Sequence, residues 1–255
     1  VVSEETLTAA FHRIYIGDTA AGLRKEDSKK IKELHGLLKV MAKELPGPHH
    51  RPTLIDAAAG KAYVGLLAAE LLFSAQGVPG SLLLLEKEKR RVALCGEAIR
   101  RTHAPDWQLQ VKEAEVNDLS FWPFAPDLVV ALHACGSAAD DILNAAVARQ
   151  AKRLLLVPCC TSNTLVGAPM AHAWMEATGM PQHAEVRRRL FQSIIDADRT
   201  LRLEAAGYET TVLAFVPPTV TPHHLVWRAI RVGEPRRMDA ASVRLSRLWS
   251  IIASP

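Results

Sequence analysis

Thr53-Leu54-Ile55-Asp56-Ala57-Ala58-Ala59-Gly60-Lys61-Ala62-Tyr63 is the stretch on which the reading of this chain turns. A short apolar run ends in an acid and then in a loop of very small residues. The apolar segment from Tyr63 to Phe73 follows and reads as a buried helix. Strand, tight turn and helix form the element that brings a nucleotide-like cofactor to the carboxyl edge of a parallel sheet. Small residues let the backbone approach the ligand, and the helix N-terminus offers free N–H groups. Some thirty residues on, Ser81-Leu82-Leu83-Leu84-Leu85 reads as a second strand closing on Glu86. A carboxylate there can accept hydrogen bonds from both ribose hydroxyls of an adenosine cofactor.

Working outward, the spacing predicts alternating strands and helices. A charged helix spans Lys87 to His103, a short third strand Gln108 to Val111, and a fourth strand Pro126 to Leu132, ending at His133-Ala134-Cys135-Gly136. A helix with Asp140 and Asp141 near its start leads to a fifth strand, Arg153 to Val157, closed by Pro158-Cys159-Cys160. This alternation calls for a parallel sheet covered on both faces. Residues 161–182, punctuated by Gly167, Pro169, Gly179 and Pro181, read as an irregular insertion of the kind that forms a lid, with Trp174, Met170, Met175 and Met180 as candidate acceptor-pocket residues. After a helix from Ala184 to Ala206, the runs Tyr208 to Val216 and Leu225 to Val232 are joined without a helix and should pair antiparallel. Before the first strand, Ile31, Leu34, Leu37, Leu38 and Met41 have helical spacing, and Pro46-Gly47-Pro48 ends that helix.

The 255 residues are 49% apolar, with no biased segment and no apolar run of membrane-spanning length, so the expectation is a globular protein of the cytoplasm without a membrane partner. Four cysteines in a chain this long do not suggest a disulfide framework, and small buried thiols are expected. The formal charge of +4 is concentrated late: from His183 onward there are eleven arginines and seven acids. That excess is either a solvated surface or an electrostatic face for RNA.

Three motifs carry a resemblance. Asp56 to Tyr63, Leu132-His133-Ala134-Cys135-Gly136 and Val157-Pro158-Cys159-Cys160 resemble the first turn, the end of the fourth strand and the end of the fifth in the methyltransferase-domain-32 group. That group includes the METTL-twenty-five type and, more distantly, a tRNA 2′-O-methyltransferase of the Trm-thirteen type. The resemblance implies a Rossmann-like class I methyltransferase fold: a mostly parallel seven-stranded α/β sheet with an antiparallel C-terminal hairpin and helices on both faces. Residues 1–50 would be a helical N-terminal cap, 51–232 the catalytic domain, and 233–255 a C-terminal helical segment.

The same resemblance implies S-adenosylmethionine as cofactor. Asp56, Ala57, Ala58, Gly60, Lys61 and Tyr63 would wrap its methionine end, Glu86 and Lys87 would hold the ribose, Asp118 and Leu119 would meet the adenine, and Leu132 and His133 would line the floor. Ala58 and Ala62 stand where relatives of the group carry Gly. Restoring Gly is expected to tighten binding and, where Ala already fits, to lower stability by about 0.4–1 kcal/mol per site. Glu86→Ala is expected to weaken cofactor binding with little effect on the ligand-free fold.

Methyl transfer from a sulfonium is an in-line displacement, so alignment supplies much of the acceleration and a base is needed only for an acceptor that keeps its proton. His133 is the candidate base. Cys159 and Cys160 are adjacent and point to opposite faces of an extended chain, so no metal site is expected. Neither acceptor nor oligomeric state has a signature here, with RNA slightly favoured among acceptors. A non-catalytic binding module with a decayed first turn is the alternative.

Overall fold

The computed structural model describes residues 2–17, 22–44, 50–159 and 162–250. Seven strands form one sheet among them: β1 (Thr53–Ala57), β2 (Gly80–Glu86), β3 (Trp107–Glu113), β4 (Leu128–Ala134), β5 (Arg153–Pro158), β6 (Tyr208–Ala214) and β7 (Leu225–Arg231). The spatial order is β3-β2-β1-β4-β5-β7-β6. The first five strands run parallel, and β7 is antiparallel to both β5 and β6. The C-terminal pair places its last strand next to β5, and its helix-free connection makes β6 and β7 antiparallel.

The central strands are apolar on both faces because helices cover both. Along β4, Leu128 and Val130 join one cluster while Val129 and Ala131 join the other; β5 splits Leu155 and Val157 from Leu154 and Leu156. This is the two-residue alternation of a strand buried on both sides. The first face is covered by α1 (Glu4–Phe11), α2 (Lys25–Met41), α3 (Tyr63–Ala68) and α4 (Lys89–Arg101). The second is covered by α5 (Ala138–Ala148) and α7 (Ala184–Ala205), with α8 (Pro235–Ser250) packed on α7.

The N-terminal helices share their core with the sheet. Leu7, Phe11, Leu34, Leu37 and Met41 belong to the same cluster as Leu54, Leu66 and Leu82. Tyr15 donates its hydroxyl to the Ala62 carbonyl at 2.9 Å. Gly36 lets α2 lie directly against the segment after β6: a Cβ there would meet the Phe215 carbonyl oxygen at 2.3 Å. The expected Pro46–His49 break falls outside the described residues, as does Cys160.

Two expectations change. The insertion is not irregular: α6 (Ala168–Ala177) packs on α7 through a separate apolar cluster containing Ala171, Met175, Phe191, Ile194 and Ile195. Pro169 sits in the first turn of α6, where its missing N–H costs nothing, and so starts a helix. Met175 is buried in that cluster while Met170 is exposed. Cys95 is a free buried thiol as expected, but two other cysteines are not. Cys135 and Cys159 form a disulfide that staples the end of β5 to the turn after β4, and Cys135 is exposed. Sequence spacing could not show this, because the pairing exists only once β4 and β5 lie side by side.

Candidate functional site

At the carboxyl edge, a cavity of about 230 Å³ opens among the ends of β1, β2, β3 and β4. Of the residues expected there, Ala58, Glu86, Lys87 and His133 line it. Arg91, Ala114, Glu115, Val116, Cys135, Ser137, Ala138 and Asp141 complete the lining. The wall after β3 is held by Trp122, whose indole N–H donates to the Val116 carbonyl at 3.0 Å.

The first turn is built around Glu86. This carboxylate is 4% exposed; Oε2 accepts the Gly60 N–H at 2.8 Å and Oε1 the Glu88 N–H at 2.9 Å. Each oxygen keeps a further acceptor site. Ala58, Gly60 and Ala62 all adopt left-handed backbone, with φ of 58°, 61° and 60°. The loop takes the shape that glycines serve, and two alanines occupy it under strain.

Other predicted residues lie elsewhere. Asp56 is 2% exposed beneath the loop, and its Oδ2 accepts the Gly65 N–H at 2.8 Å, capping α3 from the strand below. Burial pushes its carboxyl up to about 7; the Gly65 N–H opposes the rise and the nearby Glu86 charge adds to it. Ala57 is buried at the end of β1, and Leu132 packs in the first-face cluster. Lys61 and Tyr63 border a different, smaller groove with Tyr15, and Tyr63 packs against Phe11 and Tyr15. Asp118 uses its side chain to cap the next turn, accepting from Ser120 N–H at 3.0 Å and Ser120 hydroxyl at 2.6 Å. Leu119 is half-buried beside the second-face core. Glu115 and Val116 line the cavity instead.

His133 occupies a bulge. Leu132 pairs with Val157 and Ala134 with Pro158, so His133 is the extra residue, at φ 63°. Bulges re-aim side chains at the ends of strands. Its Nε2 lies 2.6 Å from Oε1 of Glu33 on α2, and its ring meets that of His223 edge-on with centroids 5.9 Å apart. Glu33 is 4% exposed, and its other oxygen is held by Lys30. Burial raises its carboxyl, but His133 and Lys30 outweigh that and hold it below the usual carboxylate range. Burial lowers the His223 ring, and the neighbouring His133 lowers it further.

Sequence reasoning missed Glu33. It lies four and seven residues before Leu37 and Val40, both buried, so it shares their helical stripe. An acid on an apolar stripe needs a cationic or hydrogen-bonding partner.

Part of the arginine excess is taken up within the fold. Arg187, Arg188, Arg199, Arg202, Arg228 and Arg237 all form ion pairs within the fold. Arg199, 1% exposed, reaches Asp140 on α5 at 2.8 Å as well as Asp196 on its own helix at 3.7 Å.

A methyltransferase-domain family model matches residues 27–165, more than half of the 255-residue chain. The chain belongs to this family of S-adenosylmethionine-dependent methyltransferases. No curated protein matches the sequence. Among solved structures, magnesium protoporphyrin IX methyltransferase from Synechocystis with bound S-adenosylhomocysteine is similar over 90% of this chain and 95% of that one, at 13% identity and a TM-score of 0.51. The same enzyme with bound S-adenosylmethionine gives 12% identity over 91% and 99% of the two chains, with a TM-score of 0.50. At such identities the likeness is one of fold, and it extends to the antiparallel last strand of this methyltransferase. No helix among the described residues is long and apolar enough to cross a membrane.

Proposed function

We propose that this methyltransferase binds S-adenosylmethionine in the carboxyl-edge cavity and methylates an acceptor group presented beside His133. The cavity's own chemistry supports the fit. Glu86 has acceptor sites left for ribose hydroxyls, and Ala114, Val116 and Ala138 give apolar surface for a flat base. Ala58 and Gly60 bring backbone close to the same space. When bound, the cofactor supplies an electrophilic methyl group on a sulfonium.

The observation that carries the reading is that Glu86 and His133 line one cavity. They sit on strands separated only by β1, so their backbones are roughly 10 Å apart from strand spacing. A nucleoside anchored at Glu86 therefore extends toward the His133 end. There His133 orients the acceptor and takes its proton, which suits an acceptor atom that is protonated at neutral pH. Asp56, Lys61, Tyr63, Asp118 and Leu119 act around the cavity, through the loop and its flanks, rather than as its lining.

The acceptor class follows less from charge than the arginine count implied. With six of the eleven arginines paired within the fold, the C-terminal third favours RNA over a small molecule less than the bare count does. Calorimetry with S-adenosylhomocysteine and NAD tests the cofactor assignment. Micromolar binding of S-adenosylhomocysteine without NAD binding is expected; binding of neither returns the chain to a non-catalytic module.

A further inference from the structure

The N-terminal helices bring a buried acid to the end of β4, where the fold by itself places only a histidine. We infer that Glu33 is a positioning residue for His133: it holds the imidazole with Nε2 as the protonated nitrogen, leaving Nδ1 as the basic atom that meets the acceptor. This rests on the proposed role of His133 in methyl transfer.

Several observations converge. Glu33 Oε1 is buried without a hydrogen-bond partner, and the group it meets is His133 Nε2 at 2.6 Å. The distance is short, but the ring N–H is off the line to the oxygen, so in this structure the pair is a close contact rather than an aligned hydrogen bond. Such contacts commonly tighten when a site fills. Lys30 neutralises the second oxygen and leaves Oε1 to the histidine. His133 is itself held in a strained left-handed bulge, a conformation the fold tolerates where a side chain must be aimed. A carboxylate that orients an imidazole by binding one nitrogen, so that the other can move a proton, is a general arrangement for a base.

The charged and titratable neighbours are few: Glu33 and Lys30 from α2, and His223 from the connection between β6 and β7. His223 meets the ring edge-on and is neutral over more of the pH range than an exposed histidine. Among the described residues no hydrogen bond joins the two rings, so the Nε2 contact is left to Glu33.

Proton NMR of the histidine-ring N–H signals, assigned with His133→Gln, tests the pairing. The wild-type protein should show a His133 Nε2–H signal protected from exchange with water. Glu33→Gln keeps an acceptor oxygen in place and should retain the signal. Glu33→Asp keeps the charge but withdraws the oxygen by about one bond length, about 1.5 Å, and should speed exchange at least tenfold. Glu33→Leu should abolish the signal. If Glu33→Leu does not fold, the Asp and Gln pair decides. A signal equally protected in Glu33→Asp, or none in the wild type, overturns the inference. Absence of S-adenosylhomocysteine binding by the wild type, with the protected N–H present, would refute the proposed function and not the pairing.

Discussion

Replacing Ala58 with Gly should stabilise this protein, the reverse of what that change does at an ordinary position. Ala58 and Ala62 sit at φ 58° and 60°. Left-handed backbone costs an L-residue roughly 1–2 kcal/mol, a cost glycine does not bear. Against this, glycine adds about 0.4–1 kcal/mol of unfolded-chain entropy. Ala58 is half-buried at the cavity wall and loses little packing, so the net gain is about 0.5–1 kcal/mol. Ala62 is fully buried, and deleting its methyl costs a further ~0.8 kcal/mol, so Ala62→Gly should be near neutral. Gly60→Ala supplies the converse. A Cβ there meets nothing within 4 Å, so its loss of about 0.5–1 kcal/mol comes from backbone strain alone. Urea melts of the three variants, compared at a common m value, read all three signs. Calorimetry with S-adenosylhomocysteine should show equal or tighter binding by Ala58→Gly. A loss of 0.4–1 kcal/mol in Ala58→Gly, the result expected of an alanine that fits, would refute the left-handed loop.

The remaining predictions concern groups beneath and beside that loop. Glu86→Ala removes the acceptor for two backbone N–H groups, so it should lower ligand-free stability by roughly 2–4 kcal/mol as well as abolish S-adenosylhomocysteine binding; an unchanged melting temperature would show that the turn does not need it. Asp56 has a folded pKa near 7 against an ordinary 3.8, so the native state holds its proton longer and stability falls as pH rises through that window. Asp56→Asn should flatten that slope between pH 4 and 7 in urea melts, and an unaltered slope would exclude Asp56 as its source. Gly36→Ala puts a methyl 2.3 Å from the Phe215 carbonyl oxygen and should cost about 1–3 kcal/mol, read as a lower urea midpoint. Reduction of Cys135–Cys159, which closes a loop of sequence separation 24, should cost about 3 kcal/mol, with a linked 135–159 peptide recovered before but not after reductant.

Much of the fold was legible because local signals agreed with one another. The apolar runs at 53–55, 82–85 and 128–132 each ended in a chemically distinctive residue, and the helix-free link before β7 fixed the antiparallel pairing. The place of Glu86 at the carboxyl edge was legible for the same reason, since it directly follows an apolar run. Its bonds to Gly60 and Glu88 were not, because they depend on how the turn folds back. Asp56 looked like part of the cofactor site because it is adjacent to the loop; the alternation along β1 turns it to α3 instead. Glu33 lies one hundred residues from His133 in sequence and meets it only through the docking of α2. The helix in the insertion was not legible because Pro169 and Gly179, which punctuate the sequence, mark the two ends of α6.

The order of the strands has a consequence for synthesis. Until Leu225–Arg231 emerges, β5 has an open edge, and Leu154 and Leu156 lack Trp227 and Ala229 beside them. The seat of α2 is also late, since Gly36 rests on Phe215 and Val216. At roughly 5–20 residues per second, the N-terminal helices wait about 10–40 s for the segment they dock against. Glu33, His133 and His223 lie in turn about one hundred and about ninety residues apart along the chain, so the corner they share closes only after all three have emerged. The sheet is completed from within, its last strand to be made sliding in between β5 and β6.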